Sequence, residues 1–392
     1  MIYLDCRYTS ELASEYSRAC KLYLSERITN IIHNAHTDYK NALTLFFTEP
    51  GIDVLLQGEP LSLKLAYEEI FDTLPIISER YNQKIFFDSL DISFNKADYN
   101  LRTKNDKTRI VQLRDDAILK IEQFINNRNS LLLIEIRNQL AGTNEPTAIR
   151  DILNKLIIIK SGKSILSVEQ ISLFPKWVND IEDAFNYSHL IKNYGQQIVN
   201  SIDLSYCPYC AEEVIEPFDN YRPAIDHFYP QSKYPFLALS LYNFVPAGTR
   251  CNTDFKKSNE MLGYYNPRMT PFTEEKIFQF IYPLDRKVTY DNTLVEVNNI
   301  SDDIDLNITL FKIGAVYNKD SCKKLFSRLI SNYQYFESLG SDHLNNILSN
   351  EEHINDLLGV DLTNSPKKVQ YQKFLLDALN QISGMRYNVN NT

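Results

Sequence analysis

Apolar residues recur every three or four positions through most of this 392-residue chain, and that spacing limits what the chain can fold into. From Ser10 onward, Leu12, Tyr16, Cys20 and Leu24 belong to one such stripe. A helix buries one face at this spacing, so each stripe predicts an amphipathic helix. No run approaches the roughly 18–20 apolar residues of a membrane helix. The sequence therefore predicts a mainly α fold, with further helices over 109–139, 148–159, 177–202, 304–316, 323–339, 343–358 and 369–382.

The helical spacing stops in the middle of the chain. Residues 201–285 are rich in Pro, Tyr, Phe and Cys, which predicts a compact module of turns and short strands. We therefore expect an α-helical domain over 1–200 that docks a partner or presents substrate, a small module over 201–290, and a helical region over 291–392. The polar stretch 291–305 is expected to be a loop.

Charge and cysteine usage exclude some classes of protein. With 41 Lys+Arg against 50 Asp+Glu the net charge is −9, which argues against a nucleic-acid coat or a membrane-surface protein. Six cysteines are too few for a disulfide framework, and the first residues lack a signal peptide pattern, so a cytoplasmic location is expected. One window, Tyr221–Lys257, nevertheless has five basic and two acidic residues. Such an island predicts contact with a polyanion; its basic residues are Arg222, Lys233, Arg250, Lys256 and Lys257.

Three cysteines in the module have the spacing of metal ligands. Cys207 and Cys210, separated by Pro-Tyr, suit one half of a tetrahedral zinc site, and Cys251 suits part of the other half. Gly248 stands where a fourth cysteine would complete the second pair. A redox pair at 207 and 210 is the alternative. A fourth ligand could come from the remaining cysteines, Cys6, Cys20 and Cys322.

Asp226 and His227 are the second candidate group. A carboxylate offers a hard oxygen ligand for Mg²⁺, and an imidazole is a base that titrates near neutral pH. Asn252 could add an amide oxygen to the same ion, and Lys256 and Lys257 would follow it by about one helical turn, near phosphates. The alternatives are a surface turn for the Asp-His pair and a solvated helix face for the lysines.

The run CPYC…AIDHFYPQSKYPFLALSLYNFVPAGTRCNTDFKKS resembles the HNH endonuclease motif with its ββα-metal core. It is similar to the HNH nuclease subunit of Septu-type bacterial anti-phage systems, which also carries a Tyr-Pro after this segment and an Asn-Pro turn further on. The likeness covers about residues 203–330 and is strong over 207–257. It implies a ββα-metal nuclease module flanked by the helical N-terminal and C-terminal regions.

The resemblance also implies roles for individual residues. His227 would be the general base that takes a proton from water, and Asn243 would brace the loop carrying it. Asp226 and Asn252 would hold one Mg²⁺, or Mn²⁺, against the scissile phosphate. The cysteines would bind a structural zinc ion, a role that Gly248 calls into question.

The expected function is hydrolysis of DNA phosphodiester bonds in phage defence, together with a separate partner ATPase. Two alternatives stay open. One is a nuclease of the same type that cleaves RNA, because nothing in the sequence reads a 2′-hydroxyl group. The other is a non-catalytic nucleic-acid-binding or assembly subunit on an HNH scaffold.

Overall fold

The computed structural model describes residues 1–5, 7–163, 165–219, 221–269 and 275–389. Helices make up most of these residues, and the sheet structure consists of two small two-stranded sheets, which confirms the prediction of a mainly α fold. Across the described ranges, no helix is long and apolar enough to cross a membrane. The suggestion that Cys6 is a zinc ligand lies outside the described residues.

The N-terminal half consists of twelve α-helices joined by short connections within the described residues. The Thr9 side chain caps the first helix by accepting a hydrogen bond from the Leu12 N–H at 3.3 Å, and Tyr16, Cys20 and Leu24 are buried on one face. The helices are α1 Ser10–Asn34, α2 Thr37–Phe46, α3 Glu49–Gln57, α4 Pro60–Thr73, α5 Pro75–Tyr81, α6 Gln83–Phe86, α7 Lys104–Asn127, α8 Leu131–Ala141, α9 Pro146–Lys160, α10 Val168–Ile171, α11 Lys176–Ala184 and α12 Ser188–Ile202.

A single helix over 109–139 is wrong, because the chain breaks between α7 and α8. Ser130 caps α8 by accepting from the Leu133 N–H at 3.1 Å and donates its hydroxyl to Glu79 Oε1 at 2.6 Å. The Leu132 N–H donates to the same buried carboxylate at 2.8 Å. The buried Glu79 carboxylate, fifty residues earlier in the chain, thus fixes the start of α8. The stripe over 177–202 is likewise divided between α11 and α12.

The middle of the chain forms a β-hairpin followed by a helix. Strand β1, Ala224–His227, pairs antiparallel with β2, Phe244–Ala247, and places His227 opposite Phe244. The loop between them contains two 3₁₀ turns, Pro235–Leu237 and Leu241–Asn243. The helix that follows, Arg250–Lys256, is of the wide π type, and the Lys257 N–H donates to the Asn252 carbonyl at 2.9 Å.

The N-terminal helices hold the hairpin loop by hydrogen bonds to its backbone. Tyr8 and Tyr16 donate their hydroxyls to the carbonyls of Leu241 and Leu239, at 3.0 and 2.9 Å. Ser240 donates its hydroxyl to the carbonyl of Leu55 in α3. One continuous hydrophobic core runs from these helices through the hairpin into the C-terminal region.

The C-terminal region begins with a second hairpin, β3 Phe278–Ile281 and β4 Leu294–Val297. Strand β4 corrects the prediction of a loop over 291–305, because Val295 is buried opposite Phe280 while its neighbours face outward. The stripe over 304–316 is broken before Ile313, where Lys312 has a φ of 53°. The later helices are α13 Asp302–Leu310, α14 Ile313–Tyr317, α15 Asp320–Ser338, α16 Ser341–Leu348, α17 Glu351–His353, a π-type turn Ile354–Leu358, and α18 Gln372–Ser383.

Candidate functional site

Strand β1 places Asp226 and His227 in the interior, with 4% and 7% of their surface exposed. Neighbouring side chains on a strand point to opposite faces, and the two residues have different side-chain partners. Asp226 contacts the polar groups of Tyr209 and Lys256, whereas the His227 ring lies between aromatic rings. The hairpin is covered on both faces, which explains why both polar residues are buried.

Both oxygens of Asp226 accept hydrogen bonds from buried side chains. The Tyr209 hydroxyl donates to Oδ2 at 2.6 Å, and Lys256 Nζ donates to Oδ1 at 2.9 Å and to the His227 carbonyl at 2.7 Å. Burial, and then the nearby carboxylate, raise the pKa of Tyr209 well above its usual value. The carboxylate is therefore charge-compensated, as a buried charge must be.

Lys256 was expected from the sequence to face phosphates, but the structure places it in the interior. Its side chain is 0% exposed and is ion-paired with Asp226, so a contact with phosphate would require it to leave that carboxylate. The reason is the burial of Asp226, which needs a compensating cation. Tyr209 was not predicted as a site residue, because nothing in the CPYC motif indicates which group its hydroxyl hydrogen-bonds to.

The tautomer of His227 is fixed by one hydrogen bond. Its Nε2 lies 2.9 Å from the carbonyl oxygen of Ala238, and since a carbonyl only accepts, Nε2 carries the proton. In the neutral ring Nδ1 then holds the lone pair, and it has no hydrogen-bond partner among the described residues. Burial lowers the pKa of His227 to about 4, although the Ala238 carbonyl and Asp226 act in the opposite direction. The ring is therefore neutral near pH 7.

Two aromatic rings pack edge-on against the imidazole. Tyr187, at the start of α12, has its ring centre 4.6 Å from that of His227, and Phe244 on β2 lies at 5.2 Å. Tyr187 was not anticipated from sequence, because it lies forty residues before His227. Its position makes the N-terminal half part of the wall around His227.

Asn243 binds the backbone of the hairpin loop. Its Oδ1 accepts from the Tyr229 N–H at 2.7 Å, and its Nδ2 donates to the carbonyls of Tyr229 and Leu237 at 3.0 and 3.1 Å. Because all three groups lie in the loop after His227, Asn243 fixes the path of the chain that leaves the strand. This geometry is consistent with the bracing role implied by the resemblance.

Asn252 lies on the π-type helix, half-buried, four residues before Lys256. Residues at this spacing share a helix face, so Asn252 lies on the side of the helix that contacts Asp226. Among the described residues its amide has no hydrogen-bond partner. Its oxygen is thus available as a ligand.

The other basic residues differ in how far they are free to meet a polyanion. Lys233 donates to the Gly162 carbonyl at 2.9 Å, and burial lowers its pKa. Arg250 is ion-paired with Glu212. Half-buried Arg222 donates to the adjacent Pro223 carbonyl at 3.3 Å. Lys257 is exposed. Most of the basic residues in this window therefore bind other groups of the protein, and Lys257 is the exposed one among them.

Cys207, Cys210 and Cys251 come together as their spacing suggested. All three are fully buried, and their sulfur atoms lie within 4.8 Å of one another. Hydrogen bonds from Cys207 and Cys251, and from the backbone of Glu213 and Glu212, lower the pKa of Cys210, whereas the pKa values of the other two thiols are raised. Thiolates are the ligands that zinc prefers, so the donor set fits that ion.

The described residues thus place a carboxylate, a lone-pair-bearing imidazole nitrogen and an unpartnered amide on one strand–strand–helix unit, and gather three cysteines into a cluster. Cys20 and Cys322 are buried outside this cluster. Comparison with protein-family models, with curated proteins and with solved structures finds no match for the chain. The function is therefore argued from the chemistry of the site.

Proposed function

We propose that this protein is a metal-dependent endonuclease of the HNH type that hydrolyses phosphodiester bonds in DNA. The support is the arrangement of the motif residues on the hairpin and its helix. Asp226 and His227 lie on the first strand, Asn243 lies directly before the second strand, and Asn252 lies on the helix. This is the order and placement that the resemblance implies for a ββα-metal module.

The observation that carries the proposal is the hydrogen bond between His227 Nε2 and the Ala238 carbonyl. It leaves Nδ1 as the atom that can take a proton from an attacking water molecule. Asp226, the residue directly before His227, stabilises the imidazolium that forms, since its charge raises the pKa of His227. A positioned base of this kind contributes about 10²–10⁴-fold to a rate.

Asp226 and Asn252 are the residues that would hold Mg²⁺ or Mn²⁺. Both offer oxygen atoms, which these ions prefer, and a carboxylate has about four lone-pair sites, of which Tyr209 and Lys256 occupy two. When bound, such an ion neutralises charge that develops on the phosphate and the leaving oxygen. The donor chemistry therefore fits, and the three cysteines would separately hold zinc.

A place in cytoplasmic phage defence, with a partner ATPase that restrains the nuclease, extends the same proposal and is supported by the resemblance alone. The RNA-cleaving and assembly alternatives differ from it in what the purified chain does to nucleic acid. One experiment therefore tests all three.

The experiment incubates the full chain with plasmid DNA and with RNA, in Mg²⁺, in Mn²⁺ and in EDTA. We expect DNA cleavage that needs the metal and that falls about 10²–10⁴-fold in His227→Ala. The matched control is His343→Ala, which removes an exposed imidazole from α16 and should cleave like the wild type.

Cleavage that survives His227→Ala would eliminate this residue as the base. Cleavage of RNA alone would favour the first alternative. Binding without cleavage under every condition, with co-purifying proteins present, would favour an assembly subunit.

A further inference from the structure

Among the described residues, no fourth His, Cys, Asp or Glu donor lies within 4.8 Å of all three sulfurs, and the structure around Gly248 indicates where a fourth ligand is. A Cβ atom at residue 248 would lie 2.0 Å from Glu213 Oε2 and 2.1 Å from Glu213 Cδ. Those distances are close to a covalent bond length, so the Glu213 carboxylate fills the space that a cysteine side chain at 248 would occupy. The carboxylate can occupy this position because residue 248 is a glycine and has no side chain.

The backbone of Glu213 is tied to the cysteines of the first pair. Its N–H donates to Cys210 Sγ at 3.5 Å, and its carbonyl accepts from the Cys207 N–H at 2.9 Å. Its Oε1 accepts from the backbone N–H of Arg250, the residue before Cys251, at 3.3 Å. Glu213 therefore spans both halves of the cluster.

The second oxygen of this carboxylate has no hydrogen-bond partner. Glu213 Oε2 is buried and unsatisfied among the described residues. A buried carboxylate oxygen without a donor is costly, and such groups are normally paired or bound to a metal ion. A carboxylate oxygen of this kind is the type of donor that a four-coordinate zinc site with three sulfur ligands would still need.

The surrounding charges suit a site with four anionic ligands. Three thiolates and a carboxylate around Zn²⁺ leave two net negative charges. Arg250 places its Nη2 3.8 Å from Cys210 Sγ, which partly offsets them. The carboxylate stands outside the group of sulfurs that lie within 4.8 Å of one another, so ligation requires it to turn inward about its own side-chain torsions.

We propose that Glu213 is the fourth ligand of a Cys₃Glu zinc site formed with Cys207, Cys210 and Cys251, its carboxylate taking the place of a cysteine at 248. The inference rests on the zinc part of the proposed function and is independent of nuclease activity. A chain that binds zinc through Glu213 but cleaves nothing would leave it standing.

The test measures metal binding by the full chain. Zinc is quantified per chain, its affinity is measured by competition with a chromophoric chelator at fixed pH, and Co²⁺ is used as a spectroscopic probe of ligand number and geometry. We expect one zinc per chain and a tetrahedral cobalt spectrum for the wild type. In Glu213→Gln the zinc affinity should fall by at least about 10–100-fold, since losing only a hydrogen-bond partner of a metal ligand already has that effect.

Two variants keep the test decisive. Glu216→Gln removes an exposed carboxylate three residues further on and should bind zinc like the wild type. Glu213→Ala combined with Gly248→Cys replaces the carboxylate by a fourth thiolate without the clash. It should recover zinc affinity and strengthen the thiolate-to-cobalt absorption.

Equal zinc affinity in wild type and Glu213→Gln would overturn the proposal, as would failure of the double variant to bind better than Glu213→Ala alone. A wild-type chain that binds no zinc would overturn it too. If Glu213→Gln does not fold, as judged by circular dichroism, the comparison between the double variant and Glu213→Ala decides.

Discussion

The two β-hairpins of the described chain are equal in size and opposite in character. Each has two four-residue antiparallel strands. In β3 and β4 buried and exposed residues largely alternate, so one face packs and the other meets water. In β1 and β2 all residues except Ala224 are buried. A hairpin covered on both faces can keep polar side chains out of water, which is what a chemical site requires.

Each hairpin also has a buried carboxylate paired with a lysine. Asp226 lies on β1 itself, and Lys256 pairs with it at 2.9 Å. Asp377 lies on α18, where its Oδ2 accepts hydrogen bonds from the backbone N–H groups of Ile277 and Phe278. Its Oδ1 is ion-paired with Lys373 Nζ, also at 2.9 Å. The second carboxylate therefore fastens a helix to a strand, whereas the first is part of the candidate site.

The largest expected effect comes from breaking the first pair. Lys256→Met leaves Asp226 buried and without its cation, and should lower the free energy of unfolding by about 3–5 kcal/mol in urea denaturation. Adding Asp226→Asn should restore much of the loss, because the uncompensated charge is gone. Lys373→Met is the matched variant at the second hairpin. It should cost less, since Asp377 keeps two backbone donors and Lys373 is 18% exposed.

A loss for Lys256→Met no greater than that for Lys373→Met would show that the first pair is not specially buried. Failure of Asp226→Asn to rescue would mean that packing of the lysine stem, rather than its charge, is what matters.

The next effect is a dependence of stability on pH that comes from the buried imidazole of the first hairpin. Burial holds the pKa of His227 at about 4 in the folded chain, below the 6.5 of an unperturbed imidazole, so the unfolded state binds the proton more readily. Its contribution is fully present above pH 6.5 and is lost as pH falls toward 4. The loss amounts to about 3 kcal/mol at most, at about 1.4 kcal/mol per pKa unit.

The measurement is the free energy of unfolding at several pH values for wild type and His227→Gln. The difference between the two should change between pH 6.5 and 4 and be constant above that range. His343→Gln is the exposed control and should follow the wild type. A constant difference for His227→Gln throughout would contradict the burial of this imidazole.

The smallest effect belongs to the open face of the second hairpin. Gln279 and Glu296 are exposed and directly opposite each other on β3 and β4. Gln279→Lys creates a cross-strand pair of opposite charge and should stabilise the fold by about 0.2–1 kcal/mol, less at high salt. Thermal unfolding at low and high ionic strength measures this. A destabilisation would mean that this face is not free to accept a longer side chain.

The helices could be predicted from sequence wherever a stripe of apolar residues was enough to define them. The strand β4 could not, because polar neighbours mask its alternation. The break at Ser130 could not either, since the carboxylate that fixes the start of α8 is that of Glu79, fifty residues earlier. Periodicity reports which face is buried, and it does not report what a distant side chain does to the backbone.

The candidate site was predictable where ligand spacing is local. The three cysteines meet as expected, and Asp226 and His227 share a strand that leads into the loop braced by Asn243. What sequence could not give is the burial of Lys256, because that depends on how deeply Asp226 lies. The sequence does show that a cysteine is missing at Gly248, but Glu213 was missed because its carboxylate fills that space only in the folded chain and belongs to no metal-ligand spacing in the sequence.

The hydroxyls of Tyr8 and Tyr16 have a consequence for the order of events during synthesis. Their acceptors, the carbonyls of Leu241 and Leu239, leave the ribosome more than two hundred residues later. Domains made first generally fold first. Until the hairpin arrives, the N-terminal helices have these hydroxyls bonded to water and an apolar surface uncovered, and a nascent chain stalled before residue 239 would expose that surface to chaperones.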